Sequence, residues 1–470
     1  MTGGPYLFRR LTAGDSVSPA LVDPVTGPIP YGAVRARTDR WTRALAADRK
    51  ALVVCFAGRN VDTVLCWLAV LRLGHAVAML DADAAPAARD RFLAAYEPDF
   101  VAWCADGRGG PPTLPAGYHP HAEPGRGLVW RRAGAPGAEP HPDLALVLST
   151  SGSTGNPKAV RLSYRNVAAN SAAVAVSLGV SDVDRAATAL PLHFGYGLSV
   201  VTSHLIAGAS AATIGARPTG RAFWRAFADT GCTNFPGVAP TFTMLWPMAE
   251  VLDRVPTLRT MTCSGSRLRD DLVLGFAERL EARGARLFMM YGQTESTSRM
   301  TCLHPAELPE RVGSVGTAIP GGRLSIVDSG EGDEIVYTGP NVMLGYADSR
   351  ADLARGDETG GVLHTGDLGR LDGGFLYLTG RLKRIAKLLG LRVSLDDVER
   401  LFEDAGTVAA VDGGDDGIVV YAEGPAEAVE KARHPVAAEL GVPAALLTVR
   451  SVPALPRTPN GKLDYRALPS

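Results

Sequence analysis

The sequence predicts an α/β protein with a large multi-layer N-terminal domain and a small α+β C-terminal domain. Three observations carry that expectation. Two apolar runs, ALVVCFA (51–57) and HAVAML (75–80), flank NVDTVLCWLAVLRLG (60–74), whose apolar residues recur at helical spacing and stop at a glycine. Strand, helix and strand at that spacing predict a parallel layer. From 144 to about 380, apolar segments keep alternating with Gly/Pro punctuation, and from about 385 the pattern shifts to shorter elements. At 470 residues the chain also exceeds what one core usually supports, so two or more domains are expected.

The elements follow in order. Residues 107–142 are dense in Gly, Pro and His, lack periodicity and are read as a loop. LALVLS (144–149) is a buried strand. In the tail, VSLDDVERLFEDAG (393–406) is a helix, with Ser394 placed to cap it and Asp397 three residues on. IVVYAE (418–423) and LLTVRS (446–451) are strands, and AEAVEKARHPVAAELG (426–441) carries helical signals broken by Pro435. No internal repeat or low-complexity tract is present.

Bulk composition narrows the function. Forty-eight Lys and Arg stand against 49 Asp and Glu, a net charge of −1, which argues against a nucleic-acid binder held mainly by electrostatics. No h-region follows MTGGPYLFRR and no apolar stretch is long enough to span a bilayer, so neither secretion nor a membrane is expected. The six cysteines are scattered, with no CxxC and no metal-ligand spacing. Most lie in apolar runs, where free cysteine is a small hydrophobe, and a reducing cytoplasm is the simplest setting.

Several clusters could carry chemistry. STSGSTGNPKAV (149–160) crowds two glycines and five hydroxyl residues before Lys158, directly after an apolar strand. Gly152 and Gly155 let the backbone approach a ligand, and N–H groups and hydroxyls can then cup anionic oxygens. The spacing is not that of a Walker A loop, and a flexible linker is the competing reading. YGQTES (291–296) offers Glu295, a carboxylate suited to Mg²⁺, or simply an exposed turn. LHTGDLGRL (363–371) sets Asp367 after a glycine turn, where it could accept hydrogen bonds from ribose hydroxyls or be an ordinary turn residue. YLTGRLKRIAKLLGLRV (377–393) interleaves five cations with apolar residues. RTPNGKLD (457–464) carries Lys462 on a turn close to the last residues, where fraying is the bland alternative. PLHFGYGLS (191–199) interleaves His193 with aromatics, and such a histidine is more often packed than catalytic. GxSxG, HExxH and P-loop motifs are absent, so hydrolase and zinc readings have no support.

In this order, together with VYTGPNVMLGY (336–346), the clusters resemble the adenylate-forming superfamily of acyl-CoA synthetases, peptide-synthetase adenylation domains and firefly luciferase. The resemblance covers nearly the whole chain, most clearly 144–466. It implies a large adenylation domain (1–380), a hinge (381–384) and a small mobile C-terminal domain (385–470). It implies that Thr150, Ser151, Gly152, Ser153, Thr154, Gly155 and Lys158 handle ATP's β- and γ-phosphates, and that Glu295, helped by Thr150, holds Mg²⁺. Tyr291 would pack on adenine, with Gly292 and Thr294 beside the nucleotide, and Ser264, Gly265 and Ser266 would line the adenine and acyl pocket. Asp367 and Arg381 would contact ribose. Lys383 falls at the hinge, and Gly390 lies in the loop lining the thioester-forming tunnel, close to Lys387. Lys462 matches the lysine that meets the acyl carboxylate and α-phosphate. His193, Phe194, Tyr196, Val238, Gly292, Gln293 and Ser266 are candidate pocket walls.

The resemblance implies ATP and Mg²⁺ as cofactors, a small-molecule acid as substrate and a nucleophilic acceptor, CoA first. It also admits a stand-alone adenylating enzyme serving a separate carrier protein or an amine, a nitrite-activating diazotase of natural-product biosynthesis, or a non-catalytic nucleotide-binding protein. Three departures stand out. His193 precedes Phe194, reversing the usual order. Gly195 occupies the place of the aspartate that holds the ammonium in amino-acid-activating relatives, so an acid without an α-ammonium group is expected. Arg384 and Ala386 stand where Asp and Ile are usual.

Overall fold

The structure is a computed structural model. It describes residues 3–104, 111, 113–134, 137–149, 159–330, 332–388, 391–414, 417–440, 442–458 and 463–469. The chain divides into two compact units, Met1–Arg323 with Tyr337–Leu363, and Leu324–Val336 with His364–Ser470.

The first unit holds two large sheets. In the eight-stranded sheet, Leu52–Ala57 lies between Ala76–Asp81 and Phe100–Trp103, parallel to both. Leu144–Ser149 joins on the far side of Ala76–Asp81, also parallel. These central strands are almost wholly apolar because both faces are covered, and every residue of Leu52–Ala57 is buried. The helix Val61–Leu73 crosses between two of them. Asn60 caps it by accepting from the Thr63 N–H, and Gly74, at φ 71°, ends it. The expected strand, helix and strand therefore form, and in parallel.

The 107–142 stretch differs from the expected loop. Tyr118–Ala122 and Leu128–Arg132 pair antiparallel and extend this sheet from Phe100–Trp103. They sit at its edge and much of YHPHA is exposed, so no apolar alternation marks them. The cysteines also correct a sequence reading. Cys55, Cys66 and Cys104, distant in sequence, bring their sulfurs within 4.8 Å of one another in this core. All are free thiols.

In the nine-stranded sheet, Arg286–Tyr291, Thr260–Cys263, Asn234–Gly237, Arg185–Ala187, Ser210–Ala212 and Pro19–Asp23 run parallel in that order. Thr301–Leu303 adds antiparallel to Arg286–Tyr291, and Thr317–Ala318 pairs antiparallel outside it. Ligand sites in open parallel sheets gather at the carboxyl ends of the strands, and the clusters at 262–266 and 291–296 both fall there.

The second unit begins with a four-stranded sheet, ordered Arg323–Asp328, Asp333–Thr338, Val362–Asp372 and Phe375–Arg381. The expected small-domain segment is built from a three-stranded sheet, Ala409–Gly414, Gly417–Glu423 and Leu447–Val452, with helices Leu395–Asp404 and Ala426–Leu440. Val398, Phe402, Val420, Val429 and Leu447 form its core. Ser394 caps the first helix by accepting from the Asp397 N–H, as its position predicts. The second helix is not broken at Pro435. Val429, Ala432, Val436 and Ala437 hold one face by packing, and Pro435 lies on the exposed side, where a carbonyl lacking its partner can turn to water.

Candidate functional site

The first unit brings most of the predicted pocket residues to the carboxyl ends of its parallel strands. Phe194 precedes the helix Gly195–Ile206, whose first turn carries Tyr196. The Tyr196 hydroxyl reaches Thr262 at the end of the neighbouring strand, 3.0 Å from its carbonyl and 2.8 Å from its Oγ1. Ser264 follows that strand, is buried, and donates its N–H to the Gly237 carbonyl. Gly265 turns at φ 93°, and Ser266 beyond it is exposed. Val238 starts the helix Ala239–Leu245 at the end of the adjacent strand.

His193 packs edge-on against Phe194, ring centroids 4.6 Å apart. Its Nε2 lies 3.9 Å from the Asp81 carboxylate, and its buried Nδ1 has no hydrogen-bond partner among the described residues. Burial lowers its pKa, opposed by Asp81 and Asp83, so the ring is neutral at pH 7. Packed on Phe194 and with no described partner to orient its Nδ1, the ring is placed as a wall.

The cluster after Arg286–Tyr291 is tightly built. Tyr291 is buried, and Gln293 and Ser296 cap the short turn Thr294–Ser296 reciprocally. Glu295 accepts at 2.9 Å from the Tyr346 hydroxyl, and its backbone carbonyl accepts from the Met343 N–H. Burial and the neighbouring Glu295 both raise the Tyr346 pKa, so the phenol stays a donor. Tyr346 belongs to the strand Gly345–Ala347, anchored by the buried Arg161, whose guanidinium donates to the Tyr346, Gly356, Leu344 and Arg355 carbonyls and to Glu358. A part-buried carboxylate fixed by one phenol has the hard oxygens that Mg²⁺ prefers, so Glu295 fits the metal expected of it.

Sequence reasoning missed Arg299. This side chain is 2% exposed and stacks on Tyr196, its guanidinium carbon 3.4 Å from the ring centroid. A basic residue just ahead of a short strand gives no signal by pattern alone. Tyr346 was visible in the VYTGPNVMLGY run but had no assigned task.

In the second unit, Asp367 and Arg381 meet as strand neighbours, Oδ1 to Nε 3.0 Å. Glu334 braces this turn by accepting from the Gly366 N–H and pairing with His364. Arg384 bonds Asp396 and Glu399 and stacks on Tyr465. This departure from the usual aspartate is therefore a cation built into the fold. Lys383 lies in the turn Leu382–Arg384 and Lys387 in the strand Ile385–Leu388. Thr150, Ser151, Gly152, Ser153, Thr154, Gly155, Lys158, Gly390 and Lys462 lie outside the described residues.

A family model described as AMP-binding enzyme matches residues 9–347. The chain belongs to that family. Among curated members, it is 31% identical over 258 residues to a feruloyl-CoA synthase of Amycolatopsis, covering 51% of this chain and 50% of that one. The chain thus matches about half the length of such relatives. A fatty acid–[acyl-carrier-protein] ligase, MmaC of Mycobacterium marinum, is 27% identical over 94% of this chain and 92% of its own. Solved structures share the fold throughout. The Bacillus subtilis O-succinylbenzoate coenzyme A synthetase bound to AMP gives a TM-score of 0.77 at 21% identity, covering 100% and 98% of the two chains. The amide bond synthetase McbA of Marinactinospora thermotolerans gives 0.78 at 22%, covering 98% of each. Among the described residues no helix is long and apolar enough to cross a membrane.

Proposed function

We propose that this AMP-binding enzyme adenylates a carboxylic acid without an α-ammonium group and passes the acyl group to a nucleophile, CoA first. The observation that carries this reading is Glu295, oriented by Tyr346 at the strand ends where Tyr291, Ser264 and Tyr196 also converge. In the first step a carboxylate oxygen attacks the α-phosphorus of ATP, the bond from that phosphorus to the bridging oxygen breaks, and pyrophosphate leaves with the electron pair. In the second, a thiolate attacks the acyl carbon, its proton having gone to solvent, and AMP leaves.

Residues of this chain have assigned tasks. Glu295 and Thr150 would hold Mg²⁺, which when bound draws charge from the phosphoryl oxygens. Ser151 through Gly155 and Lys158 cup the β- and γ-phosphates, Tyr291 and Ser264 flank adenine, and Asp367 with Arg381 takes the ribose. Lys462 neutralises charge developing at the α-phosphate. The segment from 385 onward turns about Lys383 between the steps, bringing Gly390 and Lys387 to the second.

A second reading keeps the first step and changes the acceptor to a carrier protein. It is supported by MmaC, whose match runs along nearly the whole chain. ATP-dependent AMP release from a panel of acids and nitrite, with CoA, carrier protein and amine each omitted in turn, tests both. Lys462→Ala should lower AMP formation by about 10²–10³ while the fold is kept. Wild-type turnover in that variant removes Lys462 from the mechanism.

A further inference from the structure

Arg299 is a fully buried guanidinium with no carboxylate beside it among the described residues. It hydrogen-bonds the Ser298 carbonyl and hydroxyl and the neutral Tyr196 side chain, and its Nε is buried without a partner among the described residues. The titratable groups around it are the Tyr196 hydroxyl and the thiols of Cys263 and Cys302. Burial raises all three, the thiols to about 12, so each is neutral at pH 7. The guanidinium itself remains protonated, because arginine does not surrender its proton in proteins. A buried cation without an anion is costly, and its described partners are all neutral, namely Ser298 and the ring and hydroxyl of Tyr196.

The backbone around it is strained and pinned. Thr297 and Ser298 have φ of 56° and 105°, two of the three positive-φ residues other than glycine among the described residues. For a β-branched threonine that region is a true outlier. Two buried asparagines hold the segment. Asn170 and Asn341 both donate to the Arg299 carbonyl, at 3.0 and 2.9 Å, and Asn341 also to the Ser296 carbonyl at 2.8 Å. Strain retained by such bracing is a mark of a ligand clamp. The segment lies against candidate pocket residues, with the guanidinium on the Tyr196 ring and the Cβ of Ser298 close to Gly195.

We infer that Arg299 is the specificity-determining counter-ion for a second carboxylate, so that the acid this enzyme activates is a dicarboxylic acid. The inference rests on the adenylation reading above. One carboxylate attacks ATP. The other, at the far end of the substrate, supplies the anion that Arg299 lacks.

The test compares matched acids in wild-type enzyme and in Arg299→Met: succinate against butyrate, glutarate against valerate, isophthalate against benzoate, with nitrite as a separate arm. In wild-type enzyme the diacids should give kcat/KM for AMP release about 100-fold or more above their partners, because a site built for a polar group rejects the analogue lacking it. Arg299→Met should abolish that preference, and Arg299→Lys should restore part of it. Thermal unfolding without ligand supplies an independent readout. Arg299→Met should melt at or above wild type, since an unpaired buried charge is removed, and diacids should raise the Tm of wild type only. Monoacids used as well as diacids, or nitrite alone used, would overturn the inference and leave adenylation standing. A marked fall in Tm for Arg299→Met would make the arginine structural and overturn it too. No AMP from any arm would sink the adenylation reading, and this inference with it.

Discussion

Arg161 and Arg299 are the two arginines among the largest fully buried side chains of the described fold, and they are built in opposite ways. Arg161 is closed. Its guanidinium reaches four backbone carbonyls and the Glu358 carboxylate, so its charge and its donors are used within the protein. Arg299 is open, with one serine, one neutral tyrosine and an unpartnered Nε, and no carboxylate among the described residues. Burial lowers the pKa of both, but a carboxylate opposes that only at Arg161. A buried cation satisfied from within is architecture. One left unsatisfied at the mouth of parallel strands, on a strained and doubly braced loop, is addressed to something the protein does not contain.

The sharpest way to break this comparison is to delete the closed member. Arg161→Met strands four carbonyls and a carboxylate, and loss of one partner of a buried pair costs about 3–5 kcal/mol. Urea unfolding should show a large drop in midpoint with unchanged slope, while Arg299→Met shows none. Similar losses at both sites would erase the distinction. Glu358→Gln makes Arg161 resemble Arg299 by removing its anion. Because Glu358 is partly exposed, the expected cost is smaller, about 1–3 kcal/mol by the same measurement. No change would mean the carbonyls alone suffice.

Arg161 also braces the strand bearing Tyr346, so its surroundings reach the chemistry indirectly. Tyr346→Phe frees the Glu295 carboxylate at a cost of about 1 kcal/mol, and the Mg²⁺ concentration for half-maximal AMP release should rise several-fold with little change in stability. An unaltered Mg²⁺ titration would show that Glu295 needs no brace. The smallest effect concerns the neutral bases. His75 and His204 are buried and His193 is part-buried, and all three have lowered pKa values. The unfolded chain therefore binds more protons than the fold below about pH 6.5, and stability should fall as pH drops through that value and below. His204→Leu should flatten the slope in acid denaturation. An unchanged slope would exclude His204 as a contributor.

What the sequence made legible depended on whether the signal was local. The strand at 52–57, the helix after Asn60 and the Ser394 cap are written in short runs of neighbouring residues, and they form where expected. The edge hairpin at 118–132 was illegible because exposed strands carry no apolar alternation, and the Pro435 helix because packing on Val429 and Val436 overrides a lost hydrogen bond. The site divides likewise. Glu295 and Tyr196 stood out within motifs. Arg299 did not, because what distinguishes it is the absence of an acid in three dimensions. The cysteine cluster escaped for the same reason, as its members lie on a strand, on a helix and just after another strand.

Gly292 has a consequence for how such a pocket could be re-tuned. A Cβ at that position would lie 2.1 Å from the Ser298 carbonyl oxygen and 2.6 Å from the Arg299 Cα. Narrowing the pocket there with even one methyl group would displace the segment that carries the guanidinium. Size selection and charge placement are thus mechanically coupled on this wall. Redesign toward shorter acids would need to start at another lining position, such as Val238, rather than at Gly292.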